Sequence, residues 1–266
     1  MEWWLAYPAI GAVVGFLAGL LGIGGGAVMV PMLLWVFAAN GFAEEKMMHL
    51  ALATAMATIV FTSVSSVRAH ARRGGVDWRA VAGMLPGIVA GSVAGALIAS
   101  GQKSRPLAMF FGVFMLYAAS NMLIEVKPKP TRTLPGRAGL FAAGGVIGAF
   151  SSLLAAGGAF LTVPFLAWCN VPLARAIGTA AAVGFPLAVA ATIGYVIGGL
   201  GAEGLPPWTL GYVYLPALAL VASTSILTAP LGARVTHRLP VRQLRTVFAL
   251  MLYAIAARML WVAWAW

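Results

Sequence analysis

Apolar stretches of 18 or more residues recur from one end of this 266-residue chain to the other. Coiled as a helix, a run of that length matches the hydrocarbon thickness of a bilayer. At that depth every backbone N–H and C=O needs a partner inside the protein, so only helices and closed barrels can span. The alternating pattern of a barrel strand is absent. An all-α multi-span membrane protein is therefore expected. Only 9% of the residues are charged, against about 25% in a soluble domain.

Two of the apolar segments are interrupted, and the interruptions match. Gly22-Ile-Gly-Gly-Gly-Ala-Val-Met-Val-Pro31 returns as Ala155-Ala-Gly-Gly-Ala-Phe-Leu-Thr-Val-Pro164, with the prolines 133 positions apart (164 − 31), half the chain. Six segments are unbroken: 48–67, 80–100, 106–124, 176–198, 209–231 and 246–264. The segments 5–38 and 138–168 carry the glycines. About 30 residues in one straight helix would reach ~45 Å, beyond the ~30 Å hydrocarbon core. Each broken segment is either one kinked span or a hairpin of two short helices that enters and leaves by the same side.

Charge chooses between these. Arg68, Arg72, Arg73 and Arg79 share one loop, Lys127, Lys129, Arg132 and Arg137 a second, and Arg234, Arg238, Arg242 and Arg245 a third. Together they hold 12 of the 17 basic residues, and basic clusters mark cytoplasmic loops. With hairpins, all three loops face one side, while Glu2, Glu44, Glu45, Glu203 and both termini face the other. Lys103 and Arg105 are the exceptions. Single spans would put loops 68–79 and 232–245 on opposite sides. Hairpins are expected, and each half then makes an odd number of crossings. The expected plan is an inverted-topology repeat. Residues 1–125 form the first half, with hairpin 5–38 and helices 48–67, 80–100 and 106–124. Residues 126–137 are a cytoplasmic linker. Residues 138–266 form the second half, with hairpin 138–168 and helices 176–198, 209–231 and 246–264. Trp3, Trp4, Trp208, Trp261, Trp264 and Trp266 fall on the external side as an aromatic belt. Met1-Glu-Trp-Trp lacks a basic n-region, so no cleavable signal peptide is expected.

Glycine breaks at matching places in two halves point to a transporter's binding site. The second helix of each hairpin begins just past the glycines, where its first N–H groups lack intrahelical partners and its dipole is positive. Two such tips near the midplane would hold an anion. The expected site comprises Gly24, Gly25, Gly26 and Ala27 in one half and Gly157, Gly158 and Ala159 in the other, with Thr54 and Thr179 as side-chain donors to the substrate. Pro31 and Pro164 are expected to act as structural hinges. Thr54 and Thr179 stand one helix beyond each hairpin; they can donate to an oxyanion or bond within the helices. Ser151, Ser152 and Thr58 read as helix-internal bonds. The repeats Gly11-x-x-x-Gly15-x-x-x-Gly19 and Gly87-x-x-x-Gly91-x-x-x-Gly95 read as close helix packing. His49, His70 and His237 read as solvated interface residues.

The lone Cys169 excludes an internal disulfide, and no Cys/His spacing suggests a metal; no cofactor is expected. The net charge of +11 reflects orientation rather than nucleic-acid binding. None of the six acidic residues falls inside a span, so proton or sodium coupling through a buried carboxylate is not expected. The partners expected are a small anionic solute and the lipid bilayer. The oligomeric state stays open, with a homodimer among the arrangements allowed.

The doubled Gly-Gly-x-x-x-Val-Pro segment, followed by Ala53-Thr54-Ala55 and Gly178-Thr179-Ala180, closely resembles the TauE/SafE family of sulfite and organosulfonate exporters. The resemblance covers nearly the whole chain. It implies export of a small sulfur-containing anion (sulfite, thiosulfate, sulfoacetate or a similar sulfonate) across a bacterial inner membrane by alternating access. It places the family's motif on Gly24, Gly25, Gly26, Pro31, Gly157, Gly158, Pro164, Thr54 and Thr179. A passive anion channel is the alternative. A membrane-embedded enzyme ranks lower, since no nucleophile–base pair or metal cluster is visible.

Overall fold

A computed structural model describes residues 2–21, 25–72, 74–124, 133–236 and 241–265. The predicted Gly24 lies outside them, as do Arg73, Lys127, Lys129, Arg132, His237, Arg238 and Trp266. After a short 3-10 turn, Glu2–Leu5, come α1 (Ala6–Leu21), α2 (Gly26–Ala39), α3 (Glu44–Arg72), α4 (Trp78–Ser100) and α5 (Ser104–Ile124). Then follow α6 (Arg137–Leu154), α7 (Ala159–Trp168), α8 (Leu173–Gly199), α9 (Leu215–Thr236) and α10 (Val241–Ala265). Between α8 and α9, β1 (Thr209–Leu210) pairs antiparallel with β2 (Val213–Tyr214).

By length and composition seven of the described helices can cross a membrane; α1, α2 and α7 are shorter apolar helices. The ten residues of α7 rise only ~15 Å. Both predicted breaks are present: Gly25 stands outside the helix ahead of α2, and residues 155–158 separate α6 from α7. Several predicted boundaries move: helix 48–67 is Glu44–Arg72, which takes Arg68 and Arg72 out of the loop, and helix 246–264 begins at Val241. Helix 209–231 begins at Leu215 instead, because Thr209–Tyr214 is taken up by the small ribbon.

Each broken segment folds back on itself. The phenol of Tyr7, at the start of α1, accepts from the Asn40 side chain just past the end of α2 at 3.3 Å. Its ring lies 6.5 Å from that of Phe37. At α6, Leu140 packs on Gly83 near the start of α4. Residue 77, just before α4, bonds to Thr179 near the start of α8. Since four residues join α7 to α8, the end of α7 lies at the same end of the bundle as the start of α6.

The helices pair across the two halves. α1 lies along α9, α6 along α4, α3 along α8 and α5 along α10. Gly11 and Gly15 of α1 abut Val221 and Ser225 of α9, while Gly144 and Gly148 of α6 abut Ile88 and Ser92 of α4. Corresponding members of the two pairs are separated by the same 133 positions as Pro31 and Pro164 (144 − 11, 221 − 88). A Cβ on Gly95 would stand 2.5 Å from the Ala149 carbonyl oxygen. These glycines let two backbones approach without Cβ atoms between them, as expected from their spacing.

The bundle has two ends. At one, His49 lies within hydrogen-bond reach of Ala99, Gln102 and Ser104 and stacks on Tyr212 of the ribbon loop. Glu44 and Trp261 also share a cavity there with Met47. At the other, Asp77, Arg79 and Arg137 line one cavity of about 910 Å³.

Candidate functional site

The two glycine tips touch. Gly25 precedes α2 in the left-handed region (φ 68°) and Gly158 precedes α7 likewise (φ 80°), a conformation that costs a Cβ-bearing residue strain. Neither helix start carries a side-chain cap. The carbonyl of Gly25 accepts from Val28 and Met29 at 3.2 and 3.1 Å, and that of Gly158 from Leu161 and Thr162 at 3.3 and 2.9 Å. The N–H groups at the very front, on Gly26 and Ala27 and on Ala159 and Phe160, have no intrahelical carbonyl to meet. A Cβ placed on Gly26 would run into the carbonyl oxygen of Ala155, the residue that closes α6. The predicted Gly25, Gly26, Ala27, Gly157, Gly158 and Ala159 are thereby brought into one region. Gly26, Ala27, Gly157 and Gly158 are buried, while Gly25, Ala159 and Phe160 are partly exposed. Pro31 and Pro164 sit inside α2 and α7, which continue through them.

Two long helices carry the tips. The same hypothetical Cβ on Gly26 would stand 2.7 Å from Ile59 Cδ1 of α3. A Cβ on Gly184 of α8 would stand 2.7 Å from the Gly157 carbonyl oxygen. Ile59 and Gly184 lie near the middle of Glu44–Arg72 and Leu173–Gly199. Each lies five residues beyond Thr54 or Thr179 (59 − 54, 184 − 179), or about 7.5 Å along the helix. The predicted threonines are therefore offset from the tips, one toward each end.

Both threonine hydroxyls, fully buried, are engaged elsewhere. Thr54 Oγ1 accepts the N–H of Tyr214 at 3.0 Å, one residue before α9. Thr179 Oγ1 accepts the N–H of Asp77 at 2.9 Å, one residue before α4, and donates to the Arg175 carbonyl at 2.7 Å. Thr179 thus has no proton left for an anion in this conformation. Each threonine holds the loop ahead of a helix in the opposite half. The residues just before the bonded amides, Val76 and Val213, are buried. The Asp77 carboxylate caps α4 by accepting from the N–H groups of Arg79 and Ala80 at 3.1 Å.

His49 departs from the solvated role expected of it. It is 2% exposed. Its Nε2 lies 3.2 and 2.9 Å from the carbonyls of Ala99 and Gln102, so that nitrogen carries the proton and donates. Its ring stacks on Tyr212 at 4.9 Å. Tyr214 meets Phe37 and Phe42 at 5.7 and 5.3 Å in edge-on contacts. Residues 211–214 are thus a packed plug, while Leu210 and Trp208 beside them are exposed.

Of the buried hydroxyls of Thr58, Ser151, Ser152 and Thr162, only that of Thr162 escaped the sequence reading. Thr58 and Ser152 bond backbone carbonyls of their own helices at 2.9 and 2.8 Å, as expected. Ser151 does not; its Oγ, like Thr162 Oγ1, has no hydrogen-bond partner among the described residues. Thr162 could not be singled out by spacing, because its place at the second tip is filled by Met29 at the first.

Among known proteins, the sequence profile described as sulfite exporter TauE/SafE matches residues 7–259. A probable membrane transporter protein of Haemophilus influenzae is 36% identical over 253 residues, covering 94% of this chain and 95% of the relative. A probable membrane transporter protein of Methanocaldococcus jannaschii is 26% identical over 249 residues, covering 90% and 89%. No solved structure matches the chain. A bundle of apolar helices that buries two uncapped glycine tips against each other, with this profile along nearly its whole length, belongs to the TauE/SafE family of membrane transporters.

Proposed function

We propose that the protein exports a small sulfur-containing anion, of the sulfite, thiosulfate or sulfonate class, by alternating access. The observation that carries this reading is the meeting of two uncapped helix starts near the middle of α3 and α8, where Gly26 abuts Ala155. A helix start presents N–H groups and roughly half a positive charge, and in a dry interior that favours an anion. The matched pairing of α1 with α9 and of α6 with α4 supports an inverted repeat whose halves rock against each other. In that plan the Asp77 end, with Arg79, Arg137 and Arg175, is cytoplasmic, and the His49 end and both termini are external. The membrane is then a bacterial inner membrane.

Thr54 and Thr179 have a gating duty in this mechanism. Each tethers one loop over the tips, from opposite ends, so the conformation described is closed to both sides. Release of one tether at a time gives alternating access. The cavity lined by Arg79 and Arg137 offers a basic approach from the cytoplasmic side. Export needs no coupling ion: a potential negative inside favours outward movement by about 2.3 kcal/mol per charge per 100 mV. No chemical step is assigned; the protein is read as a carrier, not an enzyme.

Efflux of labelled sulfite, thiosulfate and sulfoacetate from proteoliposomes tests this reading. Saturable flux of at least one anion, raised by an inside-negative potential, is the expected result. Absence of flux for all three would refute it, and non-saturating single-channel currents would replace the carrier with a channel.

A further inference from the structure

Four buried hydroxyls have no hydrogen-bond partner among the described residues: those of Ser92, Ser151, Thr162 and Ser225. In an apolar helix such a hydroxyl ordinarily bonds a carbonyl one turn back. This chain follows that habit at Thr58, Ser100, Ser120, Ser152, Thr192 and Thr224. Departing from it costs free energy, because a buried hydroxyl without a partner has lost its water.

The four exceptions divide into two kinds. Ser92 and Ser225 occupy corresponding places in α4 and α9, packed against Gly148 and Gly15. Their small volume at a close helix crossing accounts for them. Ser151 and Thr162 have no such account. They stand on either side of the second glycine tip, in the last turn of α6 and the first turn of α7. Ser151 is 1% exposed and Thr162 0%. Thr162 Oγ1 would lie 3.7 Å from a Cβ on Gly158, so the hydroxyl is aimed back at the tip. The Ser151 carbonyl accepts the N–H of Ala156 at 3.2 Å, which ties that residue to the same turn.

At the first tip the places of Ser151 and Thr162 fall, 133 positions earlier, on Ala18 and Met29. Neither can donate. That tip also faces the Ala155 carbonyl oxygen, which repels an anion.

We propose that Ser151 and Thr162 are side-chain ligands of the transported anion, and that the second tip, rather than both tips equally, binds it. The inference rests on the transport reading above. Two hydroxyl donors flanking the turn that leads to the Ala159 and Phe160 amides suit an anion with several oxygens on one centre. Sulfite and sulfonates have that form. The anion supplies the acceptors these hydroxyls lack, and their lost hydration is recovered only when the site is filled.

The test combines proteoliposome flux with melting temperature for wild type, Thr162→Val, Thr162→Ser, Ser151→Ala and Thr192→Val. Loss of a hydrogen bond to a charged ligand corresponds to roughly a tenfold or larger rise in KM. That rise is expected for Thr162→Val and Ser151→Ala, with Thr162→Ser and Thr192→Val near wild type. A melting temperature for Thr162→Val at or above wild type supports the assignment, because valine removes an unpartnered hydroxyl at nearly constant volume. Wild-type KM in both Thr162→Val and Ser151→Ala, with flux intact, would overturn this proposal alone. A wild type that carries none of the three anions would remove the transport reading and this proposal together.

Discussion

Replacing Thr179 with valine keeps the shape of the side chain but leaves the Asp77 N–H, now 2.9 Å from Thr179 Oγ1, without an acceptor. The Arg175 carbonyl loses a donor by the same change. A partly buried donor left unpaired costs about 1–3 kcal/mol. If that cost falls on the closed loop, its opening equilibrium shifts by roughly 5- to 150-fold. Val76, 6% exposed beside the bonded amide, is the reporter position. In a background with the buried Cys169 replaced by alanine, a Val76→Cys variant is labelled with a hydrophilic maleimide in detergent. When opening is fast, the labelling rate follows the open fraction. Thr179→Val should accelerate it by a factor in that range, and Thr179→Ser should restore the slow rate. A cysteine at Val213, held through Thr54, should respond to Thr54→Val instead. An unchanged Val76→Cys rate in Thr179→Val, or equal acceleration at both positions, would refute the separate tethers.

Three further perturbations address the tips and the plug. Gly26→Ala sets a methyl against the Ala155 carbonyl and 2.7 Å from Ile59 Cδ1; at about 1–3 kcal/mol for overpacking, melting should drop by several degrees and flux fall, and wild-type values for both would deny the contact. Gly25→Val and Gly158→Val force a branched residue to φ 68° and 80°, so transport should be lost while membrane insertion persists, as read by flux and by the amount of protein in the membrane. His49→Phe retains a ring over Tyr212 but strips the donor from the Ala99 and Gln102 carbonyls; about 1–3 kcal/mol of stability should go, visible as a lower melting temperature.

The hairpins were legible in sequence because a bilayer penalises any break in an apolar helix, so a glycine run flanked by apolar residues stands out. The starts of α2 at Gly26 and α7 at Ala159, expected near Ala27 and Ala159, follow from that alone. The start of α9 was not legible: residues 209–214 are as apolar as a helix, and the partners that hold them as a ribbon, Thr54, His49 and Phe37 among them, are distant in sequence. His49 misled for a related reason. Its place beside Glu44, Glu45 and Lys46 suggests water, while the carbonyls that bury it come from a turn some 50 positions away. Thr54 and Thr179 were found by their repetition, but repetition does not tell whether a hydroxyl faces a solute or a neighbouring loop. Thr162 was hidden, and Ser151 read as an ordinary helix-internal bond, because lacking a partner is a property of packing, not of residue type.

The pairing of α1 with α9 has a consequence for assembly at the ribosome. Helix 1 leaves the exit tunnel near the beginning of synthesis, yet the surface that receives Gly11 and Gly15 lies at Val221 and Ser225, some two hundred residues later. Until then the first hairpin must wait in the lipid with its elbow unsupported, at a stage when misfolding is a standing hazard. Neither half can complete itself, because α4 must also find α6 in the other half. Two separately expressed halves should therefore be degraded singly and rescued together.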